Sequence, residues 1–456
     1  MQKKNLFGIA LLCASVFLFT GCKEIMSHFD NAVDSHLQVA DKLTIIGVGD
    51  TYQITKDVDY KTISDAAPEF TVDEASKGIV EVDKTTGAVK ALKSGDAKIK
   101  ISLPDNGLYL DASASIDIKI RVQNGEQFEK DLTARASDET ITIFLGENAQ
   151  IDFTEVYKTN NITFPVNAFV EGVEGKPATI TMGKKGFAVN DGLTIKNVNI
   201  KADAVGETLF TLKDSKKKVL KTDGTESTFA AYAGLTLQNM TISFPSGKNF
   251  VKAPDDSKAT KYLVDNCIIE IAGGNSNIFN LQKGFYDSFT IHESTLYSIA
   301  GHTGGLIKSD AKPVNLEKVN NTYPGTVITT LDHVTMYQIA KDRQMNNSNG
   351  NMKGQAFLTQ NLTNCILVNS GNTGGNTVKG WLFGQASTTP TRTYKNNTYW
   401  TDSDYSSNWI TTGGAGDESG TVIKTFAGFK DAANGDFTIV SGAQKEKETG
   451  DPRWLK

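Results

Sequence analysis

The chain has 456 residues, with 47 Lys and Arg against 52 Asp and Glu and a formal net charge of −5. This acidic balance argues against nucleic acid as a partner. Beyond the first twenty or so residues, no apolar run is long enough to cross a bilayer. The N-terminus reads Lys3–Lys4, an apolar stretch from Leu6 to Phe19, then Thr20–Gly21–Cys22. A basic start, a short apolar core and a small residue before a cysteine predict a secretion signal over 1–21, not a spanning helix. Loss of the signal removes Lys3 and Lys4 and takes the formal charge to −7. Residues 22–40 are polar and poorly patterned, as in a tether.

The run Phe19–Thr20–Gly21–Cys22 resembles a bacterial lipobox. The resemblance implies cleavage before Cys22 and lipidation of that thiol, so that membrane attachment rests on Cys22 alone. Residues 41–123 carry short strands separated by turn signals. Ile79 to Asp83, Thr86 to Leu92 and Ser94 to Ile101 follow closely on one another, and Ile116 to Val122 closes the segment with alternating apolar residues. Several strands in about 80 residues predict a small β-sandwich. The stretch Gly78–Ile101 resembles the core of the bacterial group 2 immunoglobulin-like domain, which implies a spacer or adhesive module.

From residue 124 to 456 a different pattern rules. A phrase of alternating apolar residues, a bend residue and a second alternating run returns seven times. The bend residue is Asn197, Asn239, Asn266, Glu293, His333, Asn364 and Asn396, at steps of 42, 27, 27, 40, 31 and 32. A loose repeat of this size predicts a solenoid with variable loops. Asn tolerates the left-handed conformation that a tight bend between strands requires. Stacked bends place these side chains in a hydrogen-bonded ladder. Thr140 to Leu145 begins or caps the stack, and Gly175 to Met182 supplies an early turn. A further column of short apolar runs lies between the phrases: Leu209–Phe210, Phe250–Val251, Ile278–Phe279, Leu306–Ile307, Phe357–Leu358 and Leu382–Phe383. Each coil then has three strands. Lys213 to Ala233, Asp310 to Gly325, Arg343 to Gly354, Ser370 to Lys379 and Thr401 to Gly420 read as exposed loops. Cys267 and Cys365 both follow a bend residue and point into the core, three coils and roughly 14 Å apart, beyond the reach of a disulfide.

This arrangement resembles the right-handed parallel β-helix of the pectate-lyase superfamily, over roughly residues 140–400. The fold class predicted for the whole chain is therefore all-β, an Ig-like sandwich followed by a right-handed parallel β-helix. The endings Asn434–Ile439 and Gly450–Trp454 resemble those of uncharacterised β-helix lipoproteins of the Bacteroidota, often encoded beside glycan-utilisation genes. That likeness implies an outer-membrane, surface-facing protein with other glycan-uptake proteins as neighbours. Asp451 to Trp454 is expected to seal the open end of the core.

The superfamily's lyase chemistry requires a carboxylate cage for calcium and a base that removes the proton α to a uronate carboxylate. Both belong over the column between the phrases. The polar residues placed there are Lys213, Lys252, Asn280, Gln282, Lys308, Asp310, Thr359 and Gln385, of which Asp310 alone is acidic. The Arg-x-Pro-x-x-Arg phrase of pectate lyases is missing among five Arg. No paired acids of a β-helical glycoside hydrolase are evident, and Asp255–Asp256 and Asp402–Asp404 read as solvated loop acids. No zinc spacing, phosphate loop or nucleophile elbow is present. Leu331–Asp332–His333–Val334 echoes the Trp-Ile-Asp-His phrase of pectate lyases, but His333 lies on the bend column and reads as structural.

A binding surface remains. Trp381, Trp400, Trp409, Tyr297, Tyr337 and Tyr405 gather in the second half. Exposed rings stack on sugar faces while Asn, Gln and Lys serve hydroxyls and carboxylates. The candidate glycan-binding residues are Trp400, Trp409, Tyr405, Lys213, Lys252 and Lys308. No catalytic residue, metal or cofactor is assigned, and calcium enters only under the lyase alternative. The expected function is polysaccharide binding, pectin-like if the lysine face decides. The competing readings are a polysaccharide lyase or glycoside hydrolase, and an adhesive or structural surface protein.

Overall fold

The computed structural model describes residues 36–40, 42–61, 67–103, 112–245, 247–319, 322–346, 356–371, 391–401 and 417–456. Cys22, Trp381, Gln385, Tyr405 and Trp409, the run Leu382–Phe383 and the acids Asp402 and Asp404 lie outside them. The chain divides into two compact units between Ile120 and Arg121.

Among the described residues the first unit holds a small antiparallel pair, His36–Val39 with Val58–Lys61, and two larger antiparallel sheets. One runs Thr44–Gly47, Ala112–Arg121, Gly95–Leu103, Glu69–Val72, and the other Thr51–Gln53, Ala88–Ala91, Val80–Val82. Along Gly95–Leu103 every second residue is buried. This is the period-2 signature of a strand with one face on a core. Phe70, Val89, Ile99, Ile101, Ile118 and Ile120 fill that core.

The second unit is a parallel β-helix with three columns of strands. The first column starts at Thr140–Phe144, Asn167–Glu171 and Gly192–Lys196 and ends at Val327–Asp332, Leu358–Thr363 and Thr391–Lys395. The second starts at Gln150–Asp152 and ends at Thr398–Trp400. Together with Lys218–Leu220 they form a sheet of 17 strands. Glu226–Phe244 and Ser257–Ile271 run unbroken through both columns. The third column is a separate six-stranded sheet: Ile162–Phe164, Phe187–Val189, Phe210–Leu212, Val251–Lys252, Phe279–Asn280 and Ile307–Lys308.

All seven bend residues have positive φ, from 43° at Glu293 to 56° at Asn197. The ladder is visible as side-chain bonds: Asn239 Nδ2 donates to Asn197 Oδ1 (2.9 Å), Asn266 to Asn239 (2.8 Å) and Asn396 to Asn364 (3.2 Å). Close stacking also dictates a glycine. Gly234 has φ +104°, and a Cβ there would meet the Lys261 carbonyl at 1.9 Å.

Inside, Phe164, Phe187 and Phe210 stack from coil to coil at 6.1 and 5.3 Å. The helix Gly125–Ala134, N-capped by the Asn124 side chain, sets buried Phe128 against Phe153 and Phe164 at the N-terminal end of this core.

Three expectations are corrected. The segment Lys213 to Ala233 is not an open loop. Lys218–Leu220 pairs antiparallel with the start of Glu226–Phe244, forming a hairpin. Phe357–Leu358 does not belong to the third column, because Leu358–Thr363 pairs with Val327–Asp332 as a first-column strand. Thr359 moves with it. The third column continues instead through a single bridge from Ile307 to Asn346. Finally, Asp451–Trp454 does not close the end of the coil. It lies along the flank of the second column, with Gly450 N on Asn364 O (2.8 Å), Asp451 N on Thr335 Oγ1 (2.9 Å) and Arg453 Nη2 on Cys267 O (2.8 Å). The outward residues of that column explain it. Thr295, Thr335 and Ile366 are apolar or singly polar, and they are fully buried beneath the segment.

Cys267 and Cys365 are free and fully buried. Burial pushes the Cys267 thiol up to about 12 and raises that of Cys365 as well. Both should resist alkylation at pH 8 in the native protein and react once denaturant is added, as read by peptide mass mapping. An unfolded thiol ionises near 8.5. The stability these neutral thiols contribute is thus complete below that pH and declines as pH rises toward 12. Native labelling, or a bridge between the two, would contradict this packing.

Candidate functional site

The third column presents its outward residues as a row. Thr211, Lys252, Asn280 and Lys308 are direct partners on four successive strands. Lys252 is exposed, while Thr211, Asn280 and Lys308 are half-buried. Lys213 stands two residues beyond Thr211, outside the row, and is exposed. The acids near this face pair with lysines. Asp310 lies 3.4 Å from Lys308, and Asp255 lies 3.0 Å from Lys283, whose ammonium holds the Asp255 carboxyl below its ordinary range. The hairpin and the short helix Pro313–Leu316 both leave from this column and return to the first, so insertions flank the row on one side.

Trp400 is placed differently from expectation. The residues Tyr297, Tyr337, Val368 and Trp400 share one register on the second column. Residues 426–455 cover them. The Trp400 ring packs 5.9 Å from Phe426, and Tyr297 and Tyr337 pack 5.0 and 5.7 Å from Phe437. A small apolar core of Ile366, Val368, Phe426 and Ile439 lies beneath. Trp400 is therefore packing, not an open platform for a sugar ring.

A second constellation is one that spacing along the chain did not reveal. The ladder of Asn side chains stops at Asn266 and resumes at Asn364. Between them the bend residues are Glu293 and His333, and the residues just before are His292 and Asp332. Register brings Gln238, Asp265, His292, Asp332 and Thr363 onto one line across successive coils. His292 Nδ1 lies 2.8 Å from Asp265 Oδ1, whose other oxygen accepts from Gln238 Nε2 at 3.1 Å. His292 Nε2 lies 3.8 Å from both Glu293 Oε1 and Asp332 Oδ2. His333 Nδ1 lies 3.0 Å from Asp332 Oδ2, yet it is buried and makes no aligned hydrogen bond. Burial works against ionisation of Asp332. Thr363, the His333 ring and Asn364 outweigh it and hold the carboxyl below its usual range. His292, Asp332 and His333 offer ligand atoms within 4.8 Å of one another. The signal that could have found this site was the pair of substitutions in an otherwise Asn column, read together with the residue before each.

Three family models match parts of the chain. Residues 36–107 match the bacterial Ig-like domain (group 2). The N-terminal unit is Ig-like. Residues 155–299 match a domain of unknown function (DUF4957), and residues 329–454 match another (DUF5123). The second match includes Asp451–Trp454, in keeping with a segment built into the β-helix. No curated protein matches the chain. Among solved structures, AlyGC, an alginate lyase of the PL6 family, is similar with a TM-score of 0.36 and 14% identity, over 66% of this chain and 38% of the lyase. An arginine-to-alanine mutant of AlyGC gives 0.33 and 13%, over 64% and 37%. The chain thus spans less than two fifths of those enzymes' length.

Proposed function

We propose that the β-helix holds an acidic polysaccharide along its third column, without cleaving it. The observation that carries this reading is the in-register row Thr211, Lys252, Asn280 and Lys308. Parallel strands repeat about every 4.8 Å, so the row offers a donor to each successive unit of an extended polymer lying along the coil axis. Two ammonium groups suit uronate carboxylates, and the hydroxyl and amide suit sugar hydroxyls. The neighbouring acids are held by lysines, which favours grip over acid–base chemistry. In this reading a lipidated Cys22 anchors the chain at the outer membrane and the Ig-like unit is a spacer.

Titration calorimetry with polygalacturonate oligomers tests it. The expected affinity is in the micromolar range or weaker, since a shallow polar face buries little apolar area. Lys252→Ala with Lys308→Ala should weaken binding by at least about tenfold, given the worth of charge-assisted hydrogen bonds. Added salt should weaken the wild type too. Unchanged affinity in the double variant would remove the third column from the account.

A further inference from the structure

The gap in the Asn ladder is occupied by residues that are poor ladder members and good metal ligands. We infer that His292, Asp332 and His333 form a binding site for a borderline divalent transition ion such as zinc, which joins two coils where the side-chain ladder is interrupted. Glu293 Oε1 lies 3.8 Å from His292 Nε2, at the edge of the three-residue set.

Three independent features point there. The first is spacing. Zinc holds nitrogen and oxygen ligands at about 2.0–2.1 Å in a tetrahedron, which sets neighbouring ligand atoms roughly 3.3 Å apart. The observed separations of 3.0 Å (Asp332 to His333) and 3.8 Å (Asp332 to His292) bracket that figure. Small side-chain rotations would equalise them. The second is orientation. Metal-bound histidines characteristically give their other ring N–H to a carboxylate, which fixes the tautomer and aims the free nitrogen. Asp265 takes that role for His292, 2.8 Å from Nδ1, and is itself held by Gln238. His292 Nε2 is thereby left as a lone pair facing Asp332 and Glu293. The third is an unmet need. His333 Nδ1 is buried without a hydrogen-bond partner beside the Asp332 carboxylate. A buried ring nitrogen that faces a carboxylate off the hydrogen-bond axis is poorly satisfied by it, and an ion between the two would bind both.

The donor set also selects. Two imidazoles with one or two carboxylates suit zinc-like ions, whereas calcium and magnesium require oxygen ligands. His292, Glu293, Asp332 and His333 are each 26–44% exposed at the side chain, so an ion can reach them from solvent.

The test uses the full chain after chelator treatment, with zinc chloride as titrant and calcium chloride as control. Calorimetry should give one zinc per chain. Zinc at a hundredfold excess over Kd should raise Tm by roughly 3–5 °C, and calcium at the same concentration should not. His292→Gln and His333→Asn should each weaken zinc binding more than about 100-fold, and Asp265→Asn by roughly 10–100-fold. His333→Asn restores the commoner bend residue, so its circular dichroism should match the wild type and keep the result interpretable. Absence of zinc binding to the wild type would overturn the proposal. So would undiminished binding in the double variant His292→Gln/His333→Asn, which would place the ion on another histidine such as His28 or His36.

Discussion

Asp451→Ala is expected to destabilise the β-helix by about 3–5 kcal/mol, the range for removing one partner of a buried ion pair. Asp451 is fully buried. Its carboxylate accepts from Thr295 Oγ1 (2.7 Å), Arg453 N (3.1 Å) and Arg453 Nε (3.0 Å). Arg453 in turn caps the carbonyls of Asn266, Cys267 and Glu293, at 3.3, 2.8 and 3.2 Å. Trp454 Nε1 closes the circle on Thr295 Oγ1 at 2.7 Å. Alanine would leave the guanidinium without its counter-charge and free the cover over Thr295, Thr335 and the aromatic row. The midpoint of urea unfolding should fall accordingly, and near-ultraviolet dichroism from Trp400 and Trp454 should weaken. A loss below about 1 kcal/mol, the scale of an exposed pair, would show that the segment is an ornament on the coil and not part of its fold.

Asn266→Leu is expected to cost about 1–3 kcal/mol. Asn266 holds φ +50°, a conformation that a branched apolar side chain adopts only under strain. Its amide donates to Asn239 Oδ1, and leucine would leave that oxygen without its partner. The same bend lies beneath Arg453, so the effect should not add independently to that of Asp451→Ala. Equal unfolding midpoints for Asn266→Leu and wild type would mean that the ladder contributes nothing measurable.

Much of the architecture was legible because the signals were local. Alternation marked the strands, and Asn197, Asn239, Asn266, Asn364 and Asn396 marked the bends. Even Glu293 and His333 were placed correctly by phrase alone, since a bend dictates φ whatever side chain occupies it. The third column was legible from Leu209 to Ile307, where each strand sits a short step from its phrase, but not at its first two strands, Ile162–Phe164 and Phe187–Val189. It was lost at the next coil, because Phe357–Leu358 is as apolar as a third-column run while the bridge residue Asn346 is polar. The destination of Asp451–Trp454 was not legible. Its partners Thr295, Thr335 and Cys267 lie 116 to 186 residues away, and no periodicity reports a contact of that kind. The same holds for Asp265 and His292. They are 27 residues apart and become neighbours only through strand register. Trp400 shows the converse hazard. An aromatic residue bordering a long loop reads as exposed, and the cover that half-buries it comes from the far end of the chain.

In the proposed function the third column grips an acidic polysaccharide and leaves it whole. Incubating the full chain with polygalacturonate and calcium, while following both retention of the polymer and its length, tests this most directly. The protein should co-migrate with the polymer, Lys252→Ala with Lys308→Ala should release it, and neither new reducing ends nor ultraviolet-absorbing unsaturated ends should accumulate. Shortened chains carrying such ends, produced by the wild type, would contradict it and make the protein an enzyme.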